Sequence, residues 1–125
     1  IVPQGELTAL DLQPEMLERV REKAQIAGLS NLHFVQAGLG EGELKKNYYD
    51  LAFMVTVLGE IPDQESALIE IFKTLKPGGI LSVTEVIFDP HFQSRVAVQQ
   101  VASKVGFRDV GFFGKKLAYT MHFEK

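Results

Sequence analysis

The chain has 125 residues, of which 46% are hydrophobic and 23% are charged, and its formal net charge is −3. This composition is typical of one globular domain and excludes a disordered tail. No stretch is dominated by basic residues, which argues against a nucleic-acid-binding surface. The absence of cysteine excludes disulfide bonds, zinc–thiolate sites and thiol catalysis. It also fits a reducing compartment, so we expect a cytoplasmic protein.

Nothing in the sequence predicts a membrane protein. The longest nearly unbroken apolar run, from Leu51 to Leu58, is much shorter than the roughly 20 residues that a membrane span needs. The N-terminus has neither the basic start nor the small-residue cleavage site of a signal peptide.

The first part of the chain predicts a β-α-β arrangement. After a turn signal at Pro3–Gly5, a short strand is expected over Glu6–Asp11 and another over Leu32–Gln36. Between them, Pro14 suits the first turn of a helix and Gly28 suits its end. One face of this helix is apolar and is predicted to pack on a sheet; it carries Met16, Val20 and Ala24, widened by Leu17.

The middle of the chain predicts a loop, a buried strand and a helix. A glycine-broken loop runs from Ala37 to Tyr49, and the apolar run Asp50–Leu58 fits a strand that is covered on both faces. Asp63 offers an N-cap for a helix that reaches Leu75, and the turn Lys76–Gly79 ends this helix.

The last part predicts a strand over Ile80–Val86, an irregular connection at Phe88–Phe92, and a helix with Ser94 as its cap and Gly106 as its end. Two further strands follow, Phe107–Phe113 and Leu117–Phe123. Their linker, Gly114–Lys116, is too short for a crossover helix, so the two strands must form an antiparallel hairpin. We therefore predict a single α/β domain over residues 1–125, with a doubly wound, mostly parallel sheet and a C-terminal antiparallel hairpin.

In such sheets, ligands bind beyond the carboxyl ends of the parallel strands. Asp11, the loops after Gln36 and Leu58, and the segment after Glu85 should therefore share one rim. A carboxylate at a strand end, like that of Asp11, can accept hydrogen bonds from the 2′ and 3′ hydroxyls of a ribose. The alternative is that Asp11 merely helps to cap the following helix.

Two other features have simpler explanations beside the functional ones. The loop Gly38–Gly42 imitates the phosphate cradle of a nicotinamide-dependent oxidoreductase, but Glu41 and Glu43 would repel a pyrophosphate, which favours a surface loop. His33 and His122 fit ordinary edge or surface positions, so the histidines do not form a metal set. His91 lies in the irregular connection and could act as a general base or contact a substrate, or it could have a structural role in the turn.

Taken in order, several segments resemble the class I S-adenosylmethionine-dependent methyltransferases. The segment Ala9–Leu17 is similar to the family's Val-Asp-Leu-Ser-Pro-Glu-Met-Leu pattern, and four further segments match in sequence order. They are Phe34–Gly38, Tyr49–Phe53, Leu58–Asp63 and Leu75–Gly79. The resemblance covers nearly the whole chain, and it implies a Rossmann-like methyltransferase fold with S-adenosylmethionine as cofactor.

The resemblance also implies roles for individual residues. Asp11 would hold the ribose hydroxyls, and the remaining cofactor contacts would be Leu12 and Met16 at the adenosine, Gly38 and Leu39 at the adenine, and Met54 and Val55 near the methionine end. The family usually has Asp where this chain has Gly38, so adenine recognition must come from backbone groups or from another side chain. The family's first strand, glycine-rich loop and first helix are not represented either, which favours a truncated or incomplete sequence over a chain that has abandoned catalysis.

The leading hypothesis is therefore a methyltransferase that acts on a small molecule, with no nucleic-acid or membrane partner. If the acceptor must lose a proton, the candidate bases are Glu85, His91 and Tyr119. The alternative is a non-catalytic module with the same fold that binds a partner or itself through exposed edges of the strands starting at Glu6 and Asp50.

Overall fold

The computed structural model describes residues 5–125, so the turn expected at Pro3–Gly5 lies largely outside the described residues. The strands are β1 (Leu7–Asp11), β2 (Leu32–Gln36), β3 (Tyr49–Val55), β4 (Leu75–Val86), β5 (Arg108–Lys115) and β6 (Ala118–Glu124). The helices are α1 (Pro14–Ile26), α2 (Gln64–Thr74) and α3 (Arg95–Val105), with a 3₁₀ turn at Leu58–Glu60. None of the helices in the described part is long and apolar enough to cross a membrane.

The chain forms two compact units, the first ending at Glu43 and the second running from Leu44 to Lys125. Our expectation of a single domain over residues 1–125 stays a prediction. In the first unit, β1 and β2 pair in parallel from Leu7 opposite Leu32 to Asp11 opposite Gln36. Helix α1 connects them and contacts both strands. Of its predicted apolar face it buries Leu17 and Ala24, whereas Met16 and Val20 are 40% and 37% exposed, so that part of the prediction is wrong. The sequence nevertheless predicted the β-α-β order of this unit correctly.

The second unit contains a four-stranded sheet in the order β3-β4-β6-β5. Strands β3 and β4 are parallel, whereas β6 is antiparallel to both β4 and β5, which confirms the hairpin. One face of this sheet is the core, and its apolar side chains that are at most 1% exposed include Leu81, Val83, Met121 and Phe123. Helix α2 packs on this face, since the ring of Phe123 contacts Phe107, whose ring contacts Phe72 of α2.

Three predictions about β3 and β4 are wrong. Strand β3 ends at Val55, not Leu58, because Thr56 has a left-handed backbone (φ 54°) that an extended strand does not allow. Strand β3 is also covered on one face only, since its burial alternates along the strand. Leu51, Phe53 and Val55 are 52–57% exposed on the other face. Strand β4 begins at Leu75 instead of Ile80, since Leu75 already pairs with Tyr49 before a shift in register.

Both helices of the second unit begin at the predicted caps. Asp63 accepts a hydrogen bond from the backbone N–H of Ser66, and Ser94 accepts one from Ala97 at 3.2 Å. We expect Ser94→Ala to lower the free energy of unfolding by about 1 kcal/mol, because this bond satisfies an N–H that the helix itself cannot pair. Urea denaturation measures the change. Ser103→Ala, in the exposed part of the same helix, is the control and should change little.

Candidate functional site

In the first unit, the candidate site begins with Asp11, the last residue of β1. Its Oδ1 accepts a hydrogen bond from the backbone N–H of Gln13 at 2.9 Å, and its carbonyl accepts one from Ala37 at 3.2 Å. Asp11 thus fixes the backbone just before α1. It does not cap the helix as the structural alternative expected, because its bond goes to the N-cap residue Gln13 and no side-chain cap bond is formed there. A carboxylate has two oxygens and about four acceptor positions, so this single bond leaves Asp11 able to accept hydrogen bonds from a ligand.

Apolar side chains lie exposed next to Asp11 along the chain. Leu12 is 65% exposed and Met16 is 40% exposed. The sulfur of Met16 has Arg19 Nη1 as its neighbour at 4.0 Å. Their exposure gives the first unit an apolar surface beside a carboxylate, which suits a nucleoside with an apolar face and hydroxyl donors.

The loop after β2 folds the side chain of Glu41 back onto Gly38. The backbone N–H of Gly38 donates a hydrogen bond to Glu41 Oε2, and the N–H of Glu41 donates one to the Gly38 carbonyl at 3.2 Å. A Cβ atom added at Gly38 would lie 3.2 Å from the carboxyl carbon of Glu41. The carboxylate of Glu41 therefore lies beside the position where a side chain at residue 38 would start. Leu39, the next residue, is half-buried.

In the second unit, Met54 and Val55 lie at the carboxyl end of β3 but point in opposite directions. Met54 is 5% exposed and belongs to the core, whereas Val55 is 52% exposed. The left-handed residue Thr56 follows, and its N–H donates to the Thr84 carbonyl at 2.9 Å. Of this pair, only Val55 offers its side chain to a ligand, and Met54 can do so through its backbone alone.

The turn after β3 lies directly against the connection after β4. A Cβ atom added at Gly59 would lie 1.8 Å from the carbonyl oxygen of His91, a distance that no real Cβ contact allows. Glycine is therefore required at this position if the two backbones are to approach each other so closely. The segments that follow two neighbouring parallel strands are thus held together at the sheet's carboxyl end.

A buried carboxyl, that of Glu85, accepts a hydrogen bond from this connection. Glu85 is 1% exposed and follows Leu81 and Val83 on the core face of β4. Its Oε1 accepts a hydrogen bond from the backbone N–H of Gln93 at 2.7 Å, and its Oε2 has no partner among the described residues. Burial raises the pKa of Glu85, the bond from Gln93 opposes the rise, and the charge of Asp89 adds to it.

Gln93 forms several hydrogen bonds that fix the connection. Besides the bond to Glu85, its carbonyl accepts a hydrogen bond from the hydroxyl of Tyr119 at 2.5 Å. Its side chain donates to the His91 carbonyl at 3.2 Å and accepts from Gln64 of α2 at 3.3 Å. Burial, followed by the charge of Glu85, raises the pKa of Tyr119 to about 12, so this hydroxyl keeps its proton at neutral pH.

The side chain of His91 is exposed, and its backbone N–H donates to Asp89 Oδ1 at 2.7 Å. This bond involves the backbone of His91 only, so the choice between a structural role and a role as general base for the His91 side chain stays a prediction. No group of three or more potential metal ligands is present among the described residues.

Three residues of the candidate site were not found from the sequence: Glu41, Gly59 and Gln93. Glu41 was noted only as a charge that would repel a pyrophosphate. Gly59 belongs to the segment Leu58–Asp63 that resembles the family, but its close approach to another backbone was not predicted, although a glycine just beyond a strand end can signal one. For Gln93 the sequence carries no signal, because its role depends on contacts with residues far along the chain.

Comparison with known proteins identifies the family of the chain. Residues 1–120 match a family model described as a methyltransferase domain. The chain belongs to this methyltransferase family. The curated relatives include the ubiquinone/menaquinone biosynthesis C-methyltransferase UbiE of Edwardsiella ictaluri, which is 32% identical over 117 residues, covering 93% of this chain and 45% of the relative. This methyltransferase-family chain thus spans less than half the length of that relative.

Solved structures confirm the predicted fold class of this methyltransferase-family chain. A SAM-dependent methyltransferase from Aquifex aeolicus superposes with a TM-score of 0.89 at 20% identity, over 98% of this chain and 70% of the other. The [4+2]-cyclase SpnF has a TM-score of 0.84 at 15% identity, over 96% and 66%. The fold is therefore that of the S-adenosylmethionine-dependent methyltransferases, and it also occurs in a protein named for a different reaction.

Proposed function

We propose that the protein is an S-adenosylmethionine-dependent methyltransferase that methylates a carbon atom of a small quinol-type acceptor. The observation that supports this most is Asp11, a carboxylate at the carboxyl end of a parallel strand in a chain of this family. The acceptor class comes from the curated relatives, whose names state C-methylation in ubiquinone and menaquinone biosynthesis.

The residues of the first unit fit the cofactor chemically. Ribose hydroxyls and an adenine amino group are hydrogen-bond donors, and the carboxylates of Asp11 and Glu41 are acceptors. Asp11 ends β1 and Glu41 lies in the loop after β2; the backbone N–H of Ala37, at the start of that loop, donates to the carbonyl of Asp11. We assign Asp11 to the ribose hydroxyls and Glu41 to the adenine amino group, in place of the family's Asp at position 38. Leu12, Met16 and Leu39 supply apolar contacts.

When bound, S-adenosylmethionine supplies a methyl group that its sulfonium already activates. The protein then has to hold the acceptor in line with that group and keep water away. A quinol ring carbon that gains a methyl group loses one proton. Among the three candidate bases, His91 is the exposed one, whereas Glu85 and Tyr119 are buried.

The first experiment is a calorimetric titration of the protein with S-adenosylhomocysteine, followed by transfer of a labelled methyl group from S-adenosylmethionine to 1,4-naphthohydroquinone. The matched control acceptor is 2,3-dimethyl-1,4-naphthohydroquinone, in which both quinol-ring carbons open to methylation are blocked and both oxygens are free. We expect label in the first compound only. Label in both would show O-methylation, and binding without transfer to either would reject the quinol class.

The assignment of Glu41 has its own test. Glu41→Gln keeps an oxygen for the Gly38 N–H but replaces the second acceptor by a donor, which faces the donor of the adenine amino group. We expect S-adenosylhomocysteine affinity to fall about tenfold, a loss on the order of 1.4 kcal/mol. The double variant Gly38→Asp, Glu41→Ala places a carboxylate at position 38 and should recover most of this affinity. Glu43→Gln, in the same loop, is the control, and an unchanged Glu41→Gln affinity contradicts the assignment.

One observation favours a second function, that of a binding module. End strand β3 exposes three apolar side chains on one face, Leu51, Phe53 and Val55. Apolar side chains on an end strand favour association with another chain. Sedimentation velocity distinguishes the two functions, because a monomer at high concentration that binds S-adenosylhomocysteine supports the enzyme and contradicts self-association.

A further inference from the structure

The carboxyl of Glu85 is a costly group at its position in the fold. It lies on the core face of β4 after Leu81 and Val83, it is 1% exposed, and one of its two oxygens has no partner among the described residues. Burying a polar group costs free energy unless it is hydrogen-bonded, and only one oxygen of Glu85 has a partner in the described part of the chain. The carboxyl is therefore an unfavourable way to fill this position, which points to a role in what its one hydrogen bond holds.

What it holds is the connection between β4 and α3, residues 87–93. Glu85 accepts the N–H of Gln93, the side chain of Gln93 donates to the His91 carbonyl, and that carbonyl lies against Gly59 in the turn after β3. A chain of contacts thus links the end of β4 to the segment that follows its parallel neighbour β3. This end of a parallel sheet is where ligands bind.

The connection also presents apolar surface. Phe88 is 95% exposed and Ile87 is 44% exposed. Exposed apolar side chains on a segment at a sheet's carboxyl end are suited to one wall of a site for an aromatic molecule. These two side chains can hold an acceptor in place only if the backbone that carries them is fixed.

We propose that Glu85 is a positioning residue of the methyl-acceptor site, whose carboxylate fixes the 87–93 connection through Gln93 so that Phe88 and Ile87 form a wall for the acceptor. This inference rests on the proposed function, since it takes a quinol-type molecule as the acceptor. Glu85 itself touches no acceptor, because the connection covers it.

The protonation of Glu85 gives the proposal a pH signature. A hydrogen bond to a carboxylate is stronger than one to a neutral acid, so the hold on Gln93 strengthens as Glu85 ionises. The ionisable side chains that act on Glu85 are Asp89 in the connection and Tyr119 on β6. Because the pKa of Glu85 is raised in the folded state, its contribution to stability is complete below its unfolded pKa and is lost as pH rises through its folded pKa. As pH rises through the folded-state pKa of Glu85, acceptor affinity should therefore rise while the contribution of Glu85 to stability is lost.

The test uses Glu85→Met and Glu85→Gln. Methionine fills the volume and removes the unpartnered carboxyl oxygen, but it leaves the Gln93 N–H without its acceptor. These effects oppose each other, so we expect a small change in melting temperature and a rise of about tenfold in the KM for 1,4-naphthohydroquinone. The dissociation constant of S-adenosylhomocysteine should change less than about twofold, because the acceptor wall is not assigned to the cofactor. Glutamine keeps an acceptor for Gln93, so its KM should stay near the wild-type value and lose its pH dependence.

Other results would overturn the proposal. A Glu85→Met variant with a lower melting temperature and an unchanged KM would show a structural role, as would a Glu85→Gln variant with the pH profile of the wild type. Hydrogen exchange at the backbone amide of Gln93 can be measured without the methyl acceptor. It should be faster in Glu85→Met than in the wild type, and equal rates would contradict the proposal that Glu85 fixes this amide. If the wild type binds no S-adenosylhomocysteine, the proposed function is wrong, whereas normal binding with an unchanged Glu85→Met KM rejects only the role of Glu85.

Discussion

Replacing Asp11 by alanine is expected to weaken the binding of S-adenosylhomocysteine by about 1 to 3 kcal/mol, which corresponds to roughly a 5- to 150-fold rise in the dissociation constant. The reason is that the two ribose hydroxyls would enter the site without the charged acceptor that the carboxylate provides. A hydrogen bond to a charged group contributes more than one between neutral groups, so this loss should exceed that of any apolar contact in the first unit. Isothermal calorimetry at constant salt measures it.

Two further variants separate ligand binding from local structure. Asp11→Asn keeps an oxygen for the Gln13 N–H and so preserves the approach to α1, but it has no negative charge and only one side-chain acceptor oxygen. We expect it to lose most of the affinity that alanine loses while retaining the wild-type melting temperature. Glu22→Ala, on the exposed face of α1, should leave affinity unchanged. Full affinity in Asp11→Asn together with instability in Asp11→Ala would reduce Asp11 to a structural residue.

The elements of the fold were predictable because their signals are local. The caps Asp63 and Ser94 form the expected hydrogen bonds, and Gly28 has the left-handed backbone (φ 71°) that follows a helix. The linker predicted at 114–116 was too short for anything but a hairpin; the hairpin is present, although its turn lies at residues 116–117. The coverage of β3 was not predictable in this way. An apolar run indicates a strand, but which of its faces is covered depends on elements elsewhere in the chain.

The same distinction applies to the candidate site. Asp11 and Glu85 could be chosen from the sequence because each comes at or next to the carboxyl end of a predicted strand, where parallel sheets bind ligands. The environment of Glu85 could not be inferred, since the N–H that it accepts belongs to Gln93, eight residues further on in an irregular segment. The orientation of the Glu41 side chain was not predicted either. The charge of this side chain was treated as a property of the loop, whereas in the structure the carboxylate turns back to Gly38.

The second large effect is expected at Gly59. Gly59→Ala places a methyl carbon 1.8 Å from the His91 carbonyl oxygen, and this neighbour is backbone that cannot rotate away. The turn after β3 and the 87–93 connection must therefore move apart, and we expect a loss of about 1 to 3 kcal/mol in the free energy of unfolding, the usual range for an overpacked position. Urea denaturation followed by circular dichroism measures it.

The location of the damage distinguishes this clash from a general loss of stability. Hydrogen exchange should increase in residues 87–93 and at Leu58–Glu60, while the β1–β2 ladder of the first unit keeps its protection. Gly38→Ala is the matched control, because its new Cβ would meet the end of the flexible Glu41 side chain at 3.2 Å, which can move, so its loss of stability should be smaller. Equal stability of Gly59→Ala and the wild type would mean that the two segments do not lie in backbone contact. The chain of contacts from Glu85 through Gln93 to the turn after β3 would then lose its last link.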